Sequence, residues 1–174
     1  MASLANSKEH GLDLDDVYRR HGPAVLRRAR RLLGSDAEAE EALQEVFVSL
    51  AARPEQFAGR SAMTTFLYSA TTHLCLNRLR DQRRRRALLG QRAPGSGGSP
   101  KGQLRGDSDA ERLSILRQLL SRMPPELAAP AVHHFMDEMT HDEIAEVLGC
   151  SRRHVGDLIA RGLAWVAAQG DGGQ

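Results

Sequence analysis

An all-α fold is the class this sequence predicts, arranged as two small helical domains joined by a flexible linker, and three observations carry that prediction. Aromatic residues make up only 4% of the 174 residues, while Ala, Leu, Arg and Glu dominate, a balance that suits helices and leaves strands few of the residues they prefer. Apolar residues recur at three- and four-residue intervals through most of the chain. Between two such stretches lies APGSGGSP, Ala93 to Pro100, where glycine frees the backbone and proline removes donors. A structureless loop of about 20 residues is unusual inside a compact domain. The expected division is therefore a first domain over 1–86, a linker over 87–110 and a second domain over 111–174.

The first helix is read from Leu14, Val17, Tyr18, Val25, Leu26, Ala29, Leu32 and Leu33, closed by Gly34, a residue suited to the left-handed turn after a helix. Ser35-Asp36-Ala37-Glu38 then has the form of a capping box and starts a second helix. Its apolar face is Ala39, Ala42, Leu43, Val46, Phe47 and Leu50, ending before Pro54; its opposite face is acidic. After a loop through Phe57, Gly59 and Arg60, Ser61 caps a third helix with a buried stripe of Phe66, Leu67, Ala70 and Leu74, running to about Arg86.

In the second half, Leu113, Leu116, Leu119 and Leu120 share one helical face, Met123-Pro124-Pro125 interrupts it, and Leu127, Val132 and Phe135 resume it, with a kink expected at Pro130. Thr140-His141-Asp142-Glu143 is another capping box, opening a short helix that ends at Leu148-Gly149. Ser151 caps the last helix, expected to bury Val155, Leu158, Ile159 and Leu163.

The net charge of +2 excludes a polycation acting through its average field, so local charge decides. Six arginines lie between Arg78 and Arg86 against Asp81 alone, whereas Asp36 to Glu45 holds five acids and no base. The two cysteines, Cys75 and Cys150, supply neither a disulfide framework nor a four-cysteine zinc site. With no apolar run near the roughly 20 residues of a bilayer span, and no signal-peptide layout at the N-terminus, no membrane insertion is expected and the location is cytoplasmic. Neither Ser-His-Asp, paired-carboxylate nor phosphate-loop spacing is present, so the chain reads as a non-enzyme without cofactors.

Counting His141 as one, Ala145 falls at five, Gly149 at nine and Val155 at fifteen. That is helix-turn-helix spacing: the alanine lets two helices touch, the glycine takes the turn and the valine pins the second helix. The alternative is a plain helical hairpin. Arg152, Arg153, His154 and Arg161 favour DNA, since they lie where such a helix meets base edges and phosphates, although Asp157 among them would repel phosphate. A zinc site from His133, His134, His141, Cys150 and His154 matches no standard finger. On the third helix Ser69, His73, Asn77, Arg80 and Arg84 recur every three or four residues, beside Arg83, in a hydrogen-bonding stripe that runs into the guanidinium cluster and suits DNA; alone, it would equally be a solvated face.

EEALQEVF on an acidic helix, then FAGRSAMTTFLYSATTHLCLNRLRDQRRR, a linker, and THDEIAEVLGCS stand in this order, and across nearly the whole chain they resemble the extracytoplasmic-function group of sigma-70 family RNA polymerase sigma factors. The resemblance implies a region 2 helical bundle and a region 4 helix-turn-helix domain, with core RNA polymerase and promoter DNA as partners and an anti-sigma factor as a further candidate. It implies that Asp36, Glu38, Glu41, Gln44 and Glu45 dock on the polymerase clamp helices. It assigns Phe57, Ser61, Met63, Thr64, Thr65 and Phe66 to opening the minus-ten element and capturing a flipped base, with His73, Asn77, Arg80, Arg83 and Arg84 along the single strand. Arg152, Arg153, His154, Asp157 and Arg161 fall on the helix facing the upstream element. The family usually has tryptophan where Phe66 stands, often asparagine where His73 stands, and often basic residues where Gly156 and Leu158 stand. Two rival readings remain at this point: a helix-turn-helix regulator that never enters polymerase, and a sigma-like interaction protein that does not open DNA.

Overall fold

The computed structural model of the chain describes residues 13–57, 62–90 and 109–171, and every regular element among them is helical. Helix α1 (Leu14–Leu33) begins at Asp13, whose carboxylate accepts from the N–H groups of Asp15 and Asp16 at 3.1 Å each, two of the donors a helix start orphans. It ends at Gly34, where φ is 76° and the N–H donates to the Arg30 carbonyl at 2.9 Å. Glycine takes that left-handed turn without the Cβ clash other residues meet. Ser35 then starts α2 (Asp36–Ala52), its hydroxyl accepting from the Glu38 N–H at 3.4 Å.

Helix α2 buries Ala39, Ala42, Leu43, Val46, Phe47 and Leu50, the face its spacing predicts. The larger of these cluster with Val17 and Val25 of α1 and Leu67 of α3 (Met63–Leu88), each large side chain contributing about 1.5–3 kcal/mol when fully buried. Tyr18 departs from expectation: it is 46% exposed and leans edge-on against Phe47, ring centroids 4.9 Å apart. Its phenol keeps water while its ring covers the core.

The expected buried stripe of α3 needs correction. Leu67 is buried, but Phe66, Ala70 and Leu74 are half-buried, and the buried face continues through Thr71, Thr72, Cys75, Leu76 and Leu79. Threonines join it because their hydroxyls are satisfied within the helix: Thr71 donates to the Leu67 carbonyl at 2.6 Å and Thr72 to the Tyr68 carbonyl at 2.7 Å. The same Thr72 oxygen accepts from Arg28 Nε at 2.8 Å, and the Arg28 guanidinium lies 3.5 Å over the Tyr68 ring. A cation 8% exposed thus joins α1 to α3 by a hydrogen bond and a cation–π contact. Ser61, the expected cap of α3, lies outside the described residues.

The chain divides into two compact units, Met1–Cys75 and Leu76–Gln174. The division falls inside α3, a helix unbroken from Met63 to Leu88. Of the expected linker, 91–108 lies outside the described residues; Ala87 and Leu88 extend α3, and Asp109 and Ala110 begin α4 (Asp109–Arg122). In α4, Leu120 is buried while Leu113, Leu116 and Leu119 are half-buried.

After Met123 come α5 (Pro125–Ala131), a widened π-type turn (Val132–Met136), α6 (His141–Leu148) and α7 (Arg152–Asp171). Pro130 sits inside α5, buried with Leu127, Ala128 and Ala129, and the coil widens immediately after it, the Asp137 N–H donating to the Val132 carbonyl at 3.3 Å. The wider coil shifts the phase of the helix. Phe135, expected inside with Leu127 and Val132, is 55% exposed, whereas His133 is fully buried with Nδ1 3.2 Å from the Asp137 carboxylate.

Helices α5 and α6 both pack on α7, with Leu127, Ile144, Val155, Leu158 and Ile159 buried. Leu163, expected among them, is 53% exposed. The buried line along α7 runs through Val155, Leu158, Ile159 and Gly162, and Leu163 stands one residue, about 100°, off its last member. Among the described residues no helix is long and apolar enough to cross a membrane.

Candidate nucleic-acid interface

The helix-turn-helix is built from local signals that agree. Thr140 accepts the Glu143 N–H on its hydroxyl oxygen at 3.3 Å, and the Glu143 carboxylate accepts from the Thr140 N–H and hydroxyl at 2.8 Å each, the reciprocal capping box the spacing predicts. Those bonds, the backbone one foremost, hold the Glu143 carboxyl below the usual range. Gly149 makes the turn at φ 65°, and Ser151 accepts the His154 N–H at 3.2 Å to start α7. Ile144, Val155 and Ile159 then meet in one cluster, flanked by Met139, Ala145, Leu148 and Cys150. Ala145, Gly149 and Val155 occupy the close contact, turn and pin their spacing assigns.

Opposite that cluster Arg152, Arg153, His154, Asp157 and Arg161 are all exposed, so the expected upstream-element residues share the outer side of α7. Two carboxylates that the sequence reading did not single out stand beside them. Asp142 Oδ2 lies 3.7 Å from Arg152 Nη1, and Glu126 Oε1 accepts from Arg161 Nη2 at 3.3 Å. No pattern could have given Glu126, since 35 residues separate the partners. Two of the histidines weighed as zinc ligands, His134 and His141, lie near each other. His134 Nδ1 lies 3.2 Å from the Met139 carbonyl, and the His134 and His141 rings are 5.2 Å apart.

On α2, Glu41, Gln44 and Glu45 are exposed on the side away from the buried face, and Glu38 is half-buried at its edge. Asp36 stands apart from that line. It pairs with Arg30 at 2.8 Å and so braces the α1–α2 turn. Val48, one turn beyond Gln44 on the same outward side, is 66% exposed; its sign in the sequence is an apolar residue out of phase with the core stripe.

Phe57 closes the short 3₁₀ turn Pro54–Phe57 and meets Phe66 edge-to-face, centroids 5.8 Å apart at 71°. Both rings, with Met63, pack against the core of the first unit. Thr64 is exposed and Thr65 half-buried, while Ser61 lies outside the described residues. Farther along α3, His73, Asn77, Arg83 and Arg84 are exposed, and Ser69 and Arg80 are half-buried. Arg80 Nη1 donates to Asn77 Oδ1 at 2.7 Å; burial first, then the charge of Arg84, push its pKa down. Arg84 lies 3.7 Å from Asp81. The hydrogen-bonding stripe read from the spacing is therefore one face of a single helix.

Residues 17–85 match the Sigma-70 region 2 family and residues 113–166 the Sigma-70, region 4 family. Among curated relatives, the chain is 31% identical over 153 residues to "ECF RNA polymerase sigma factor SigE" of Mycolicibacterium smegmatis, covering 85% of this chain and 58% of that protein. It is 26% identical over 158 residues to "ECF RNA polymerase sigma factor SigW" of Bacillus subtilis, covering 86% and 83%. A 64-residue stretch is 41% identical to "RNA polymerase sigma factor SigF" of Mycobacterium tuberculosis, covering 34% of this chain and 24% of that one. The chain belongs to the sigma-70 family of RNA polymerase sigma factors, in its extracytoplasmic-function group.

Proposed function

We propose that this chain binds core RNA polymerase in the cytoplasm, carries it to particular promoters and assists their melting, with no catalytic chemistry of its own. The observation that carries this reading is the pairing, in one chain, of an outward acidic face on α2 with a helix-turn-helix whose outer side carries Arg152, Arg153 and Arg161. A repressor needs the second surface but not the first. In this reading residues 1–86 form the polymerase and minus-ten module, 111–174 the upstream-element module and 87–110 the tether between them. Each module alone binds weakly, and joining them raises the effective concentration of one at its site once the other is engaged.

Glu38, Glu41, Gln44 and Glu45 would face the polymerase clamp, with Val48 as an apolar contact beside them, while Asp36 supports the turn. The α3 stripe of His73, Asn77, Arg80, Arg83 and Arg84 would follow the single strand. Thr64 and Thr65, beside the Phe57–Phe66 pair, would border the extruded base. Unstacking costs on the order of 1.4 kcal/mol per base step, and a strand held by hydrogen bonds and cations offsets it without nucleotide hydrolysis. The test is permanganate footprinting of a promoter with core polymerase and this chain. Reactive thymines near the minus-ten element are expected; a duplex that stays protected while the complex is bound would contradict melting.

A further inference from the structure

Two of the three arginines on α7 stand against carboxylates from other helices, Arg152 at 3.7 Å from Asp142 of α6 as an ion pair and Arg161 hydrogen-bonded to Glu126 of α5 at 3.3 Å. The two pairs bracket the outer side of α7, nine residues or about 13 Å apart along its axis. A guanidinium offers five N–H donors; Arg161 spends one on Glu126 and Arg152 meets Asp142 as an ion pair, so donors of both are left for a phosphate or a base edge. Both carboxylates lie in the first turn of their own helices, where the helix dipole favours an anion and steadies them.

Resting on the proposed reading of the second unit as the upstream-element module, we infer that Glu126 and Asp142 are positioning residues for sequence discrimination. They aim Arg161 and Arg152 at one register of the groove. A duplex in that register is met without breaking either pair. A duplex out of register requires the arginine to swing away, leaving an unpaired carboxylate facing phosphates. The two acids therefore weaken non-specific binding more than specific binding, by about twofold to fivefold per pair, the worth of an exposed ion pair.

The test uses holoenzyme made with the full chain and a library of duplexes randomised across the upstream element, with bulk genomic DNA as competitor. The Glu126→Gln/Asp142→Asn variant is compared with wild type and with Glu111→Gln/Glu146→Gln, which removes the same charge at exposed positions on α4 and α6. Melting curves establish that all three fold. The expected result is that the first variant binds bulk DNA more tightly and enriches the selected element at least threefold less, while the control keeps wild-type enrichment. Equal enrichment by all three, or an equal loss in both variants, would overturn the positioning role and leave the promoter-reading function standing. Absence of any enriched sequence with wild type would overturn both.

Discussion

The Arg28 guanidinium lies 3.5 Å above the Tyr68 ring while its Nε donates to the Thr72 hydroxyl at 2.8 Å. This buried cation fastens α1 to α3 in the first unit, and its removal leaves a void and strands the Thr72 oxygen without its charged donor. Arg28→Ala is expected to lower the unfolding free energy by about 2–3 kcal/mol. Arg28→Lys, which cannot stack as a planar group, is expected to lose a large part of it. Denaturant titration of the full chain measures both; a loss below 0.5 kcal/mol, on the scale of an ordinary surface substitution, would show that the pair is incidental.

Phe57 and Phe66 make an edge-to-face contact at 5.8 Å over the first core. Truncating Phe66 to alanine is expected to cost about 2 kcal/mol, less than a fully buried phenylalanine because the ring is half-exposed. Phe66→Trp should retain stability within about 1 kcal/mol. On the proposed function the alanine variant also lowers the yield of open promoter complex, read by permanganate, while holoenzyme assembly survives.

The carboxyl of Glu143 is held low by the Thr140 N–H and hydroxyl. A depressed folded-state pKa contributes stability above the unfolded value and loses it as pH falls through the folded one. The wild-type chain should therefore lose melting temperature below about pH 4.3, the ordinary glutamate value, more steeply than Glu143→Gln. Identical acid limbs for the two proteins would show that the box does not couple to protonation.

Gly149 holds φ at 65°, and a methyl group there would meet nothing within 4 Å. The cost of substitution is thus backbone strain alone. Gly149→Ala should destabilise the second unit by about 1–2 kcal/mol and Gly149→Asn by less, because asparagine tolerates the left-handed region. Amide exchange across α6 and α7 reports this locally; an alanine variant with unchanged protection would contradict it.

What was legible in the sequence is what repeats or caps. The buried face of α2, the Gly34 and Gly149 turns, the Thr140–Glu143 box and the Ile144–Val155 contact each follow from local spacing, because one helix period or one cap geometry decides them. The inner face of α3 was not legible, because Thr71 and Thr72 bury by bonding their own helix and Arg28 by stacking on a ring 40 residues away in sequence. Phe135 and Leu163 were expected inside; the widened turn shifts the phase at Phe135, and Leu163 sits one residue past the buried position of Gly162. In the candidate interface, the named residues of α7 and Glu41, Gln44 and Glu45 of α2 are exposed, while Glu38 is half-buried. Val48 shows in the sequence only as an apolar residue out of phase with the core stripe, and the pairing of Glu126 and Asp142 with α7 emerges only when the helices are placed side by side.

The most direct measurement is run-off transcription from genomic DNA with purified core polymerase plus this chain, set beside the Glu41→Lys/Gln44→Leu variant. Both substitutions fall at exposed positions of α2, so the fold is expected to persist. Wild type should give discrete start sites sharing upstream and minus-ten elements, and the variant should lose at least tenfold of that signal, about 1.4 kcal/mol of holoenzyme assembly. Discrete transcripts of equal strength from both proteins, or none from wild type, would contradict the account of α2 as the polymerase-facing helix.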